Sequence, residues 1–138
     1  MKALMCRSFG PPDTLRVEEV PNPVPAAGEV LVRVRAAGLN FPDSLIIQNQ
    51  YQIKAPLPFS PGGELAGEIL ALGPQVQGYQ VGQSVIAFTG WGGFAEQVVV
   101  AQERLIPMPA GMPFEVAGSF LMTYGTCLHA LQDRAAVK

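Results

Sequence analysis

The 138 residues are 49% hydrophobic and 14% charged, with a formal net charge of −2, which is enough chain for one core and one domain. This weak negative charge leaves no basic footprint for nucleic acid. No apolar run reaches the roughly 20 residues that a membrane-spanning helix needs, so we expect no membrane partner. Because Cys6 and Cys127 lie far apart and neither belongs to a Cys-x-x-Cys pair, we expect a reduced, cytoplasmic protein.

Alternating and β-branched runs predict that most of the chain forms strands. The first two runs, residues 2–7 and 15–20, are expected to pair antiparallel through the turn at Gly10–Asp13. Val30–Ala36 alternates valine with arginine, as a strand with one buried face does. Further strands are predicted at residues 64–71, 84–88, 94–100 and 105–108.

Many short strands with Gly/Pro turns predict a mainly β fold, a partly open β-barrel over residues 1–112. After Pro113 the apolar spacing becomes helical, with Phe114, Ala117 and Leu121 able to share one face. We therefore expect residues 113–138 to form one or two helices that lead toward a further domain.

One glycine-rich stretch, Gly90–Ala95, matches the pattern G-x-G-x-x-A. That pattern binds a dinucleotide only where it follows a strand and opens a helix. Strand-like runs flank it on both sides here, so we interpret it as a hairpin connection. No other glycine-rich strand–helix unit occurs before the sequence stops at Lys138, and we expect the nucleotide-binding domain to be missing from this chain.

Two segments carry a family resemblance: Gly38-Leu39-Asn40-Phe41-Pro42-Asp43 and Pro61-Gly62-Gly63-Glu64-Leu65-Ala66-Gly67. Together they resemble the GroES-like catalytic domain of the medium-chain dehydrogenase/reductase family, which fits the chain to about Pro109. In the zinc alcohol dehydrogenases of that family, a cysteine stands where this chain has Asn40 and a histidine where it has Gly63. An amide is a poor zinc ligand and glycine offers no side chain. The resemblance therefore points to the zinc-free quinone oxidoreductases and zeta-crystallin-like reductases.

The resemblance implies two catalytic residues. Asn40 would lie beside the nicotinamide and the substrate oxygen, and Tyr51 would line the substrate cleft or donate a proton. From the residues alone, Asn40 could equally be a turn amide and Tyr51 a half-buried anchor. One departure concerns the cofactor, because zeta-crystallin-like enzymes carry a cofactor-contacting tyrosine where this chain has Leu45.

The resemblance also assigns the walls of the cleft. Thr126 would approach the nicotinamide end of the cofactor together with Met122, although on its own Thr126 could be a helix cap or a packed hydroxyl. An apolar wall for the substrate would come from Phe41, Ile47 and Trp91.

Four polar or reactive residues are interpreted as structural. We expect Asp43 to cap a short helix over residues 44–48. Glu64 should satisfy backbone donors or pair with an arginine. Cys127 should be small and buried, and His129 should lie on the surface or in packing, away from any carboxylate.

The resemblance implies a zinc-independent, NADPH-dependent reductase that passes hydride to a quinone or an α,β-unsaturated carbonyl. The parent protein would be a homodimer, and NADPH binding would need the missing domain. Two alternatives stay open. One is a 2-enoyl thioester reductase domain, which would use Tyr51 as proton donor, and the other is a non-enzymatic GroES-like module.

Overall fold

The computed structural model describes residues 1–137. Short β-branched runs form its strands. β1 (Lys2–Met5) and β2 (Arg16–Glu19) pair antiparallel as predicted, with a 3-10 turn at Pro12–Thr14 between them. Five further strands form a second antiparallel sheet; they are β3 (Glu29–Gly38), β4 (Glu64–Leu72), β5 (Ser84–Phe88), β6 (Gln97–Ala101) and β7 (Leu105–Pro107). A 3-10 turn, Gln102–Arg104, joins β6 to β7.

The five-stranded sheet has the order β6-β3-β4-β5-β7, and its end strands β6 and β7 are not paired with each other in the described residues. The register between β3 and β4 shifts at Leu31/Val32 and again at Val34/Ala36. Such bulges bend a strand and increase its twist. The predicted mainly β, partly open architecture is therefore confirmed.

The main core lies on one face of this sheet. Val30 and Val32 of β3 and Leu65 of β4 are completely buried. Each such side chain contributes about 1.5–3 kcal/mol through burial. Because successive strand residues point to opposite faces, Ala66 and Ile86 face the other way and pack under the C-terminal helices.

The β1–β2 pair is fastened to the rest of the protein through backbone hydrogen bonds. The Leu4 N–H donates to the Phe94 carbonyl at 2.8 Å, and the Cys6 N–H donates to the Phe59 carbonyl at 2.8 Å. Cys6 and Phe59 also belong to a second buried cluster, which includes Ile46 and Ile47. This second core positions the short helix that precedes Tyr51.

The prediction of a hairpin at Gly90–Ala95 is wrong. β5 pairs with β4 and β7, whereas β6 pairs with β3, so the connection crosses the end of the sheet. Gly93 and Phe94 donate their N–H groups to the carbonyls of Gly62 and Pro61, both at 2.9 Å. These bonds hold the connection against the second family segment, and β6 consequently begins at Gln97 rather than at Phe94.

Three short α-helices are present within residues 1–137: α1 (Phe41–Ile46), α2 (Phe114–Ala117) and α3 (Leu121–Leu128), and a π-helical turn follows at His129–Arg134. The predicted C-terminal helices are thus found, while their expected last residue, Lys138, lies outside the described residues. None of the helices in this part of the chain has the length and apolar character needed to cross a membrane.

Two expectations for the last helical segment are wrong. Cys127 is exposed rather than buried. His129 lies on the surface as expected, but it is not away from a carboxylate, because its Nδ1 is 2.8 Å from Asp133 Oδ2, one helical turn further on. Large apolar side chains are exposed on the same segment; they are Tyr124, Leu128 and Leu131.

Candidate active site

Asn40 stands at the start of α1, immediately after β3 ends. Its backbone is extended, and the helix begins at the next residue, Phe41. Asp43 occupies the third helical position and accepts a hydrogen bond from the Asn40 N–H at 2.8 Å. Asp43 is therefore not the cap expected from the sequence, and α1 begins earlier than the predicted helix over residues 44–48. The carboxylate instead satisfies the backbone donor of the preceding N-cap residue.

Asp43 also connects the two segments that carry the family resemblance. It is 4% exposed, and its Oδ1 accepts the Gly62 N–H at 3.2 Å. Burial raises the pKa of this carboxyl, while the N–H groups of Asn40, Gly62 and Gly63 act in the opposite direction and the negative charge of Glu64 adds to the rise. α1 is thereby tied to the turn that leads into β4.

Glu64 is the second buried acid of this site. It is 1% exposed, and its two oxygens accept hydrogen bonds from different elements. Oε1 accepts from Asn40 Nδ2 at 2.8 Å, and Oε2 accepts from the Met122 N–H at 2.9 Å. The expectation that Glu64 satisfies a backbone donor is confirmed. The alternative arginine partner is wrong, because Arg35 pairs with Glu68 instead, at 3.3 Å.

Gly38 is required by this arrangement. A Cβ atom there would lie 2.5 Å from Glu64 Oε1 and 2.9 Å from the Gly118 carbonyl oxygen. Real Cβ atoms do not approach so closely, so any other residue would displace the carboxylate that holds Asn40.

The donors at this place do not fit a zinc ion. Asn40 directs its amide nitrogen to Glu64, and Gly63 has no side chain. Within residues 1–137, no group of three or more His, Cys, Asp or Glu residues could hold a metal. The missing side chain at Gly63 is not explained by lack of space, because a Cβ there would lie 3.5 Å from the Gly90 backbone, an ordinary contact distance. The side chains at positions 40 and 63 are therefore unsuited to zinc because an amide and a glycine stand there, not because the site is too small.

Three of the candidate residues from the sequence line one groove with a volume of about 590 Å³. They are Asn40, Phe41 and Ile47. Phe41 is 75% exposed at the rim, whereas Ile47 is buried and packs mainly in the second core. Further groove residues that sequence reasoning missed are Leu4, Leu15, Leu39 and Phe94.

Tyr51 and Met122 lie elsewhere. Both line a small cavity of about 20 Å³, together with Asp43 and Gly63. Such a volume holds about one water molecule, not a substrate. The Tyr51 ring is half-buried against the cluster of Cys6, Ile46, Ile47, Ala55 and Phe59.

The two remaining candidates occupy separate surfaces. Trp91 lines a third cavity, of about 490 Å³, with Phe88, Thr89 and Arg104. Thr126 lies inside α3 with an exposed side chain, so it is neither a helix cap nor a packed hydroxyl. The seven candidates are thus divided among separate cavities and surfaces and do not share one cavity.

The contact between Glu64 and Asn40 was missed, although the sequence contains a signal for it. Glu64 opens a strand whose next three residues are small or apolar, so an acid there faces a buried environment. A buried carboxylate needs hydrogen-bond donors. Asn40 supplies one of them, but only the fold brings residues 24 positions apart together.

Comparison with known proteins identifies the domain. Residues 26–110 match the alcohol dehydrogenase GroES-like domain. Quinone oxidoreductase-like protein 2 of Bos taurus is 36% identical over 138 residues, which cover 99% of this chain and 39% of the bovine protein.

Two solved structures share the fold. Human synaptic vesicle membrane protein VAT-1 homolog-like protein superposes with a TM-score of 0.94 at 34% identity, over 100% of this chain and 45% of that one. The quinone oxidoreductase from Thermus thermophilus, solved also in complex with NADPH, gives 0.84 at 33% identity, over 100% and 42%. The chain therefore spans less than half the length of these relatives. By its GroES-like domain and its quinone oxidoreductase relatives, the chain belongs to the medium-chain dehydrogenase/reductase family.

Proposed function

We propose that the chain is the catalytic, substrate-side domain of a zinc-independent, NADPH-dependent reductase that passes hydride to a quinone or an α,β-unsaturated carbonyl. One observation carries the proposal. An amide, Asn40, is held by a buried carboxylate where zinc relatives have a metal ligand, and it lines an apolar groove of about 590 Å³. That volume lies within the range of small-molecule sites.

The groove suits a flat, largely apolar acceptor. Its lining is dominated by leucine, proline, isoleucine and phenylalanine side chains, and Asn40, Asp43 and Ser44 supply its polar groups. The Ser44 hydroxyl donates to the Phe41 carbonyl, and Asp43 accepts from Asn40 and Gly62. Asn40 is therefore the polar side chain that we assign to contact the acceptor or the nicotinamide. Because its Nδ2 donates to Glu64, the amide presents Oδ1, which accepts a hydrogen bond from the bound molecule.

The cofactor contacts that this chain offers fit the nicotinamide end of NADPH. Thr126 presents an exposed hydroxyl on α3, and Met122 lies one turn earlier beside the Asn40–Glu64 pair. When bound, NADPH supplies the hydride. All strand pairs among the described residues are antiparallel, which differs from the parallel strand–helix unit that holds a pyrophosphate. We therefore expect most of the affinity for NADPH to come from outside residues 1–137.

A 2-enoyl thioester reductase is the second candidate, and Tyr51 distinguishes it. An enoyl acceptor needs a proton delivered to one carbon, whereas a quinone can take up protons from solvent. The Tyr51 ring is half-buried beside a cavity of about 20 Å³ and does not line the large groove. This arrangement favours the quinone or simple enone over an acid-dependent substrate.

A non-enzymatic module is the third candidate. The exposed apolar side chains of α3 and its π-helical extension support it, since a free surface of that kind binds other proteins. We favour the enzyme, because the same helix carries Met122 and so contacts the proposed active site directly.

Three further parts of the proposal concern the whole protein. We assign residues 1–112 to the GroES-like domain and 113–138 to a helical segment that leads to the nucleotide-binding domain. We expect the parent protein to be a cytoplasmic homodimer, which light scattering and cell fractionation would test.

The decisive experiment is an anaerobic assay of the whole protein with NADPH and a panel of quinones, enones and enoyl thioesters. We expect turnover of quinones or enones that persists after treatment with a chelator. The substitution N40A should abolish most of it, whereas N22A, at an exposed asparagine outside the site, should leave it unchanged. Turnover that disappears with chelator, or that N40A does not affect, would contradict the proposal.

A further inference from the structure

A buried carboxylate with two neutral donors is unusual enough to require a reason. Glu64 is 1% exposed, and its two hydrogen bonds join the start of α1 to the start of α3. A buried acid is costly unless donors surround it, so an apolar residue would be the simpler solution for packing alone. The carboxylate therefore has a function that an apolar side chain could not provide.

That function concerns the orientation of the Asn40 amide. An amide has a donor end and an acceptor end of nearly the same shape. Glu64 Oε1 is a hydrogen-bond acceptor and lies 2.8 Å from Asn40 Nδ2. Because an acceptor requires a donor, Asn40 Nδ2 must point to Glu64 and Asn40 Oδ1 must point elsewhere. A glutamine whose own amide was free to turn would accept either orientation.

We propose that Glu64 is a positioning residue that fixes which end of the Asn40 amide faces the groove, with the Met122 backbone N–H as its anchor. The assignment rests on the proposed function only in so far as Asn40 touches the substrate or cofactor. The physical claim, a single amide orientation imposed by Glu64, stands apart from any activity.

The substitution E64Q makes a specific prediction, because the Met122 N–H cannot rotate. It requires an acceptor, so the glutamine oxygen must take the place of Glu64 Oε2. The glutamine nitrogen then faces Asn40, which must turn its own oxygen toward it. The Met122 N–H and the Asn40 side chain each keep a hydrogen-bond partner, and Asn40 is reversed.

The reciprocal exchange N40D/E64Q restores the original polarity. The aspartate that replaces Asn40 can only accept, so it pairs with the glutamine nitrogen and again presents an oxygen on its other side. The double variant keeps one acid and one amide, as in the original protein. The substitution E68Q is the matched control, since Glu68 lies on the same strand but pairs with Arg35 at the surface.

Nuclear magnetic resonance of the side-chain amides measures the orientation directly. In the unsubstituted protein, one Asn40 side-chain N–H should exchange with solvent about tenfold more slowly than those of the exposed Asn22 and Asn49, as expected for a hydrogen bond to a charged group. In E64Q the slow side-chain protons should belong to the new glutamine instead, while the Met122 N–H stays protected. E68Q should change neither.

Activity of the whole protein gives the second readout. E64Q should lower kcat and change KM by a smaller factor. The double variant N40D/E64Q should have a higher kcat than either single variant. Side-chain protons of Asn40 that exchange as fast as those of Asn22 in the original protein would overturn the proposal, even if E64Q does not fold. Slow Asn40 exchange together with no turnover in any protein would refute the proposed function and leave the positioning role intact.

Discussion

Replacing Gly38 with alanine tests the buried pair most severely. The new methyl group would lie 2.5 Å from Glu64 Oε1 and 2.9 Å from the Gly118 oxygen. Overpacking of this kind costs about 1–3 kcal/mol, and a lost hydrogen bond to a charged group costs about 1.5–3 kcal/mol more. We therefore expect G38A to lower the free energy of unfolding by at least about 2.5 kcal/mol.

Urea denaturation followed by the fluorescence of Trp91, the one tryptophan of the sequence, would measure this loss. Trp91 is half-buried against the second core, so unfolding should change its emission. The matched control is G63A, where the added methyl group meets only the Gly90 backbone at 3.5 Å. We expect G63A to stay within about 1 kcal/mol of the original protein. Equal stabilities for G38A and G63A would refute the reasoning.

Four further predictions follow from the same geometry. The substitution Y51F should leave quinone turnover within a few-fold, whereas a loss of roughly 10²–10⁴ would identify Tyr51 as a positioned acid. Elemental analysis after dialysis should find zinc far below one atom per chain; a value near one would mean that Glu64 and the scattered Cys and His residues converge in solution. Calorimetric titration of the 138-residue chain should give an NADPH affinity weaker than micromolar, and a micromolar affinity would show that the chain holds the cofactor by itself. Because burial raises the pKa of Asp43, folding favours its protonated form, so the contribution of Asp43 to stability should decline as pH rises upward from its unfolded pKa of about 3.9. The substitution D43N should flatten that part of the curve of unfolding free energy against pH, and an unchanged slope would contradict the assignment.

The fold could be predicted from the sequence because its signals are local. Alternation of valine and arginine identifies β3, and the change of apolar period after Pro113 identifies the helices. The Gly90–Ala95 connection could not be predicted in the same way. Its glycines are typical of a hairpin, and only the bonds of Gly93 and Phe94 to Gly62 and Pro61 reveal that it crosses the sheet end.

The candidate site was predictable in part for a similar reason. The two family segments identified Asn40 and Gly63, and the structure brings both segments together through Asp43. The partnership of Asn40 with Glu64 depends on the pairing of β3 with β4, in which Gly38 lies opposite Glu64. No local pattern specifies such a pairing, because strand register is decided by the whole buried face.

The strand order has a consequence for how the chain is made. β3 can pair with β4 once residue 72 has been synthesised, but the other edge of β3 stays unpaired until β6 is complete at Ala101. One edge of β5 likewise stays unpaired until β7 has been synthesised. β1 also cannot make its bridge from Ala3 to Ala95 until residue 95 has been synthesised. A nascent chain therefore exposes an unpaired edge of β3 from residue 38 until residue 101, and such edges are the sites at which unfinished chains associate.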